Sequence, residues 1–424
     1  MKNIQVLLLA GGLGKRMAPL KVCKSLISFA GKPIIRYIFD DLKAAGINDF
    51  KITCNPQHLN NIKKEFSRES VKVKFYVQKQ AKGMADSVLS VNDLKNQPMI
   101  VVNPEDLIQP ETYSNFIKQC QKTKSRAVFA AIFKKKYYPG GYFKLTGNKI
   151  TGLIEKPGET NRPSNYVKLV LDYFTDSSEL VSYLKKTASS KDDVYETALN
   201  QMIKKGFDFE LFKYKGYLGP LKYPWHIPEM MELIFKKRLK RKISNKGEIH
   251  KSALINGPVV IESGAKVFEN AVVKGPSYIG KNTIIGTNAL VRNSNVAHNC
   301  VVGYNSEIAR SWIGPDCWFH NNYIGDSVLQ KDVSFGSGAV TANFRLDSKE
   351  ISTKKDGQKI ATGRKKLGSI IGKGARVGVN ASLMPGISVG SGSFVGSGIV
   401  LNKNLESNKY ASLKNNNYKI IAKK

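Results

Sequence analysis

INGPVVIESGAKVFENAVVKGPSYIGKNTIIGTNALVRNSNVA, residues 255–297, carries an aliphatic side chain at Ile255, Ile261, Val267, Val273, Ile279, Ile285 and Val291, and the series ends on Ala297. A second series in the same step runs through Ile371, Val377, Leu383, Val389, Val395 and Leu401. An amphipathic helix spaces its apolar residues three and four apart and a half-buried strand two apart, so a step of six excludes both. It fits a chain that turns a corner after every hexapeptide and sends one aliphatic residue per flat side into a shared interior. Three sides close a coil, and the coils stack as a parallel β-helix. Glycine follows the inward position at Gly280, Gly286, Gly372, Gly378, Gly390 and Gly396, where tolerance of positive φ at tight corners is the expected reason.

These hexapeptides resemble the left-handed β-helix of the hexapeptide acyltransferases; the hand is implied by that resemblance, the coil by the spacing. The chain has 424 residues, enough for two or three domains, and at 42% hydrophobic its composition is that of a globular protein. No run of eighteen apolar residues occurs, and the apolar start Ile4–Leu9 is too short for a signal peptide. The expectation is a cytoplasmic protein with no membrane partner. Cys23, Cys54, Cys120, Cys300 and Cys317 stand singly without a CxxC pair and read as reduced thiols. The net charge of +34 suggests an anionic partner, but the lysines are spread along the whole chain and no aromatics interleave with the short basic runs. Nucleic acid is therefore not the expected partner, and a phosphate-rich substrate is the better use of the charge.

Outward from the repeats, towards the N-terminus, a short apolar strand at residues 4–10 enters Gly11-Gly12-Leu13-Gly14-Lys15-Arg16. Such a loop lets backbone N–H groups approach phosphates, with Lys15 and Arg16 adding positive charge. A helix near 34–45, a strand at 50–54, a helix near 60–66, and strands at 71–77 and 99–102 follow, the βαβ rhythm of a doubly wound α/β sheet.

Together with Pro19-Leu20, Lys24-Ser25-Leu26 and Gly31-Lys32-Pro33-Ile34-Ile35, the glycine loop resembles the signature of sugar-1-phosphate nucleotidylyltransferases. The resemblance implies that Gly11, Gly12 and Gly14 cradle the nucleotide and that Arg16 and Lys24 hold its phosphates. Gln78 and Gly83 match the stretch that reads the base, with Met84 in place of the usual Thr. Asp106 falls where the family binds Mg²⁺, although Glu105 replaces the usual Gly beside it. Glu155 and Lys156 match a Glu-Lys-Pro motif whose Glu accepts sugar hydroxyls and whose Lys sits near the sugar phosphate. Two departures follow: Lys168 stands for a sugar-contacting Asn, and Pro220 for a second metal-binding Asp. His226 is expected to pack beside Trp225, and residues 229–242 read as an amphipathic connecting helix.

Within the repeats the chemistry has to lie in the interruptions, because a β-helix needs no function of its own. The period loses phase after Ala297, and His320-Asn-Asn-Tyr323-Ile-Gly-Asp-Ser327 resembles the acceptor site of glucosamine-1-phosphate acetyltransferases. A neutral imidazole at His320 could take the proton from an amine attacking a thioester. By the resemblance Tyr323 would hold the sugar phosphate or hydroxyls and Asn343 would contact substrate or acetyl donor. Residues 344–368 break the repeat and end in Thr362-Gly-Arg-Lys365-Lys366, cations suited to a sugar phosphate or the diphosphate of coenzyme A. Where the family often has Glu-Ile-Lys, the chain reads Glu307-Ile308-Ala309-Arg310, without the lysine.

The chain is thus expected to hold a nucleotidylyltransferase-like domain over 1–243, a left-handed β-helix acyltransferase-like domain over 244–405 and a basic tail over 406–424. It resembles the archaeal-type bifunctional enzymes that join the two. The resemblance implies acetyl-CoA as co-substrate, Mg²⁺, a nucleoside triphosphate (UTP or dTTP) and a sugar 1-phosphate as partners, and a homotrimer. Two rivals remain at this stage: a plain uridylyl- or thymidylyltransferase with a structural β-helix, and a regulatory scaffold with degenerate sites.

Overall fold

The computed structural model describes residues 4–94, 96–190, 193–355, 358–414 and 417–422. The chain forms two compact units: Met1–Leu13, Cys23–Leu26 and Pro33–Leu218 make the first, and Gly14–Val22, Ile27–Lys32 and Gly219–Lys424 the second.

In the first unit a nine-stranded sheet runs in the order Lys72–Val77, Asp49–Cys54, Gln5–Ala10, Met99–Val102, Tyr166–Phe174, Ala127–Phe133, Phe209–Tyr214, Lys149–Glu155, Gly141–Thr146. The first four strands are parallel, and Tyr166–Phe174 turns antiparallel to both its neighbours. Helix Ile34–Ala44 shows why these segments fold as they do. Pro33 sets an extended entry at φ −60°, apolar residues recur on one face at Ile34, Ile35, Ile38, Phe39 and Leu42, and Gly46 at φ +96° lets the chain leave. Phe129 anchors the core on the far side, edge-on to Phe174 at 5.6 Å and 5.0 Å from Phe209. Strand Gln5–Ala10 lies between Asp49–Cys54 and Met99–Val102, so the chain reverses direction across the sheet there. Loops leaving neighbouring strand ends at such a switch point leave a crevice for a ligand.

The second unit contains the β-helix, three parallel sheets whose strands are related from coil to coil. It is the hexapeptide coil expected from the repeats, the left-handed β-helix that the resemblance implied. In one sheet Ile261 pairs with Ile279, Ile279 with Val296, Val296 with Ile313 and Ile313 with Leu329, so a coil of 18 residues shortens to 17 and then 16. The phase slips one residue earlier than the sequence suggested: Val296, not Ala297, enters the fully buried interior. Each such aliphatic side chain contributes about 1.5–3 kcal/mol on burial. The second series, Ile371 to Leu401, lies inside as expected.

The glycines after the inward positions have a different cause from the one expected. Positive φ falls further along each side, at Asn282 (56°), Asn288 (59°), Asn299 (57°) and Gly374 (70°), and not at Gly280 or Gly372. At Gly280 a Cβ would lie 2.5 Å from the carbonyl carbon of Ala297, and at Gly372 2.6 Å from Ser391 N. These glycines let one coil stack on the next. Buried hydroxyls form a parallel ladder: Ser294 Oγ accepts from Ser311 N at 3.1 Å, Ser311 Oγ from Ser327 N at 3.0 Å and Ser327 Oγ from Ser369 N at 3.0 Å.

The break at 344–368 folds as an antiparallel hairpin of Ile351–Lys355 and Gln358–Arg364. A second hairpin, Lys409–Lys414 with Asn417–Ala422, continues one of the three sheets beyond Phe394–Val395. Helix His226–Arg238 begins and ends earlier than the expected 229–242. Among the described residues no helix is long and apolar enough to cross a membrane.

Candidate functional sites

Gly11 directly follows strand Gln5–Ala10, and a Cβ there would run into the Gln78 amide group. Only glycine lets the two approach. Gln78 is buried, and its Nε2 donates to Gly83 O at 3.1 Å and to Asp86 Oδ2 at 2.8 Å. Gly83, at φ +82°, opens helix Gly83–Leu89. Gly11, Gln78 and Gly83 are therefore brought together, and the loop backbone at Gly12 is uncovered. Arg16 is exposed on the short turn Lys15–Met17, which belongs with Gly14 to the second unit.

Lys24 begins the turn Lys24–Leu26 and its Nζ donates to Glu105 Oε2, while Ser25 Oγ lies 3.4 Å from Glu105 Oε1. Burial pushes the Glu105 carboxyl above its ordinary range, and Lys24 opposes that shift. Asp106, next along, accepts from Asn103 Nδ2 at 2.8 Å. Lys24 thus closes on Glu105, the residue before Asp106 and one the sequence marked only as a departure. Its carboxylate is committed to the lysine.

Glu155 ends strand Lys149–Glu155, and the ammonium of Lys156, a residue at φ +45°, lies 3.3 Å from it. A Cβ on Gly141 would stand 3.2 Å from Glu155 Oε2 and 3.7 Å from Lys168 Cβ, so Glu155 and Lys168 flank Gly141. The Lys168 ammonium is buried and meets Asp172 Oδ2 at 2.6 Å, where Tyr195 OH also donates at 3.0 Å. Burial pushes the Asp172 carboxyl up against the pull of Lys168, and it pushes up Glu196 in the same neighbourhood, with Glu155 adding to the rise. Asp172, Tyr195 and Glu196 escaped the sequence reading. The signal for the first was present: two opposite charges interrupt the otherwise apolar strand Tyr166–Phe174.

In the β-helix, His320 is exposed at the corner after Trp318–Phe319, its backbone N–H held by Asn322 Oδ1 at 2.8 Å. Tyr323 opens the next strand, Tyr323–Gly325, which pairs with Glu307–Ala309 on one side and Val340–Thr341 on the other. Asn343, just beyond Val340–Thr341, donates from Nδ2 to Tyr323 OH at 3.1 Å and to Asp326 Oδ2. Arg310 grips the same carboxylate twice, Nε to Oδ1 at 2.8 Å and an Nη to Oδ2 at 2.6 Å. Gly325 is required beneath this group, since a Cβ there would lie 2.6 Å from Tyr323 OH and 2.7 Å from Asn343 Nδ2. Arg310 (φ 49°) and Asp326 (φ 48°) both occupy left-handed corners, which cost a non-glycine residue about 1–2 kcal/mol and which neighbouring coils give to Asn or Asp. Lys365 and Lys366 are exposed where the hairpin returns to the coil, and the next residue, Leu367, donates its N–H to Asn343 O at 3.0 Å. The structure thus gathers Tyr323 and Asn343 and adds Arg310 and Asp326, whose side chains the sequence left without a role.

The metal question turns on donors. Asp106 offers one carboxylate, Glu105 is closed by Lys24, and Pro220 has no side-chain oxygen. Among the described residues no group of three His, Cys, Asp or Glu could hold an ion. That set fits Mg²⁺ in one manner, with a single carboxylate and the remaining oxygens from phosphate and water. His226 is no ligand: its Nδ1 accepts from Lys222 N at 3.2 Å, and it packs edge-on to Trp225. Burial, followed by the charges of Lys222 and Arg364, pushes its pKa down to about 4.

A glycine loop at the switch point of an α/β sheet, in one chain with a hexapeptide β-helix, is the architecture of a two-part transferase. The chain belongs to the nucleotidyl transferase family, whose pattern it matches over residues 5–217; residues 255–361 match the GMPPB C-terminal domain. It is 26% identical over 95% of its length to a bifunctional sugar-1-phosphate nucleotidylyltransferase/acetyltransferase of Sulfurisphaera tokodaii, covering 98% of that protein. It is 29% identical over 96% of its length to the bifunctional protein GlmU of Methanocaldococcus jannaschii, covering 97% of it. An uncharacterized acetyltransferase, YaiX of Escherichia coli, shares 33% identity over 44% of this chain and 83% of its own.

Proposed function

We propose that the protein makes a nucleotide sugar in two reactions, acetyl transfer on the β-helix and nucleotidyl transfer at the glycine loop, with residues 1–243 and 244–405 as the two catalytic domains. The observation that carries this reading is the Tyr323–Asn343–Asp326–Arg310 cluster, three residues along the chain from the exposed His320, in a chain that aligns over 95–96% of its length with bifunctional relatives.

In the first reaction the nitrogen of an amino-sugar 1-phosphate attacks the thioester carbon of acetyl-CoA. His320 takes the proton from that nitrogen, the C–S bond breaks, and coenzyme A leaves as its thiol once reprotonated. Lys365 and Lys366 supply positive charge for the sugar phosphate or the coenzyme diphosphate. In the second reaction an oxygen of the acetylated sugar 1-phosphate attacks the α-phosphorus of UTP or dTTP in line, and pyrophosphate departs. Gly11, Gly12 and Gly14 present backbone N–H groups, Lys24 and Arg16 meet the developing charge, Gln78 and Gly83 face the base, and Glu155 and Lys156 face the sugar. Mg²⁺, held by Asp106, would supply further phosphate neutralisation. UDP-N-acetylglucosamine is the simplest product. A homotrimer working in the cytoplasm is the accompanying expectation.

The test is a pair of assays on the purified protein, CoA release with glucosamine 1-phosphate and Mg²⁺-dependent pyrophosphate release from UTP or dTTP with N-acetylglucosamine 1-phosphate. Both should proceed. One observation favours a second reading, acetyl transfer alone: Lys24 and Lys168, at the presumed phosphate and sugar positions, are both neutralised by protein carboxylates. CoA release without pyrophosphate release would establish it.

A further inference from the structure

Tyrosine's hydroxyl has one hydrogen to give and lone pairs to accept with, so the identity of its neighbours decides which way the hydrogen points. The deciding group at Tyr323 lies three residues along the chain. Asp326 is only 1% exposed, and the Arg310 guanidinium binds both its oxygens, so it stands as a carboxylate that accepts only. The Asn343 atom facing that carboxylate is therefore the amide nitrogen and not the amide oxygen. The same nitrogen faces Tyr323 OH, so the phenol oxygen accepts there. The protein neighbour hydrogen-bonded to the hydroxyl is a donor, and among the described residues none accepts its hydrogen.

We infer that Arg310, Asp326 and Asn343 form a relay that sets the polarity of Tyr323, holding its hydroxyl as a hydrogen-bond donor toward an oxygen of the bound ligand. This rests on the acetyl-transfer reading for the identity of that ligand, an acyl or phosphate oxygen of the reacting pair, but not for the direction of the hydrogen. Arg310 and Asp326 are positioning residues: they act through Asn343 on Tyr323. Arg310 thus has a role of its own where the family pattern would place a lysine one residue earlier. The relay crosses above Gly325, where a Cβ would separate its members, and its two charged residues sit at stacked left-handed corners.

The test is a double-mutant cycle read as kcat/KM for CoA release from acetyl-CoA with glucosamine 1-phosphate. Tyr323→Phe removes the hydrogen, and a loss of about tenfold or more is expected, the scale of a hydrogen bond to a charged group. Asp326→Asn removes the constraint on the Asn343 amide and should cost about as much. In the Tyr323→Phe background it should cost little more. Arg310→Gln, at a partly exposed side chain, serves as the second entry into the cycle should Asp326→Asn fail to fold. Losses that multiply independently would overturn the relay, as would Asp326→Asn or Arg310→Gln at wild-type kcat/KM. The direction of the hydrogen is read separately by neutron diffraction on the deuterated protein: a deuteron on Tyr323 pointing away from Asn343 is expected, and one pointing at an Asn343 oxygen would overturn the inference. If the wild-type protein releases no CoA, the acetyl-transfer reading falls, and the neutron map alone decides the relay.

Discussion

The α/β unit and the β-helix handle charge in opposite ways at their candidate sites. In the α/β unit two departures from the family pattern are charges that find an opposite charge inside the protein. Glu105 stands for a glycine and closes on Lys24; Lys168 stands for an asparagine and closes on Asp172. In the β-helix, charge is spent on orientation: Arg310 and Asp326 neutralise each other to fix Asn343 and Tyr323, and His320, Lys365 and Lys366 remain exposed. A substitution that adds a charge to a packed sheet has to be compensated there, because an unpaired buried ion costs several kcal/mol. The exposed corner at His320 bears no such demand, whereas the buried Asp326 carboxylate meets it through Arg310.

The strongest way to break this comparison is His320→Ala. It should lower acetyl transfer by about 10²–10⁴-fold and leave pyrophosphate release unchanged, as measured by the two assays side by side. Equal loss of both would mean that the two sites are not separate. Next in size, Asp172→Ala leaves the Lys168 ammonium buried and uncompensated, and urea unfolding should report a loss of about 3–5 kcal/mol. Lys168→Met combined with Asp172→Leu should recover most of it; a double variant no better than the single would show that the pair is not the cause.

Lys24→Ala should reduce pyrophosphate release by about 10²–10³-fold, the usual loss when a donor to developing charge is removed, with CoA release intact. Unchanged pyrophosphate release would place Lys24 in a purely structural pair with Glu105.

The smallest effect contrasts two histidines, His320 exposed and His226 half-buried. The unfolded chain protonates a histidine near 6.5 and the folded one protonates His226 only near 4. Its contribution to stability is therefore complete above about pH 6.5 and is lost as pH falls towards 4, about 3 kcal/mol at most. His226→Asn should flatten the stability profile in that window, and an unchanged profile would show that the ring is not buried neutral.

The coil was legible because its period is strict: one aliphatic residue per side must enter a narrow interior, and no other regular structure asks for a step of six. The same strictness explains the one misplaced position. When coils shorten to 17 and 16 residues, the inward place moves from Ala297 to Val296, a change visible only once neighbouring coils are in register. The glycines were correctly located and wrongly explained, since the clash that excludes a Cβ at Gly280 comes from Ala297, which stacking and not chain neighbourhood brings near. Gly11, Gln78 and Gly83 were singled out from local motifs, and the fold brings these three together. The Lys168–Asp172 pair left a sign in its two opposite charges on an otherwise apolar strand, whereas Tyr195 left none, because it reaches Asp172 from a separate helix that no spacing encodes.

By itself, then, the sequence determined the two-part architecture and the elements of the first half, because each of these is written in local periodicity or in a contiguous motif. Only the tertiary structure decided which charges are closed and which are presented: Glu105 on Lys24, Asp172 on Lys168, and Asp326 on Arg310 and Asn343. Ion pairing and hydrogen-bond polarity depend on distances of about 3 Å between residues far apart in the chain, and those distances exist only after sheets and coils have packed.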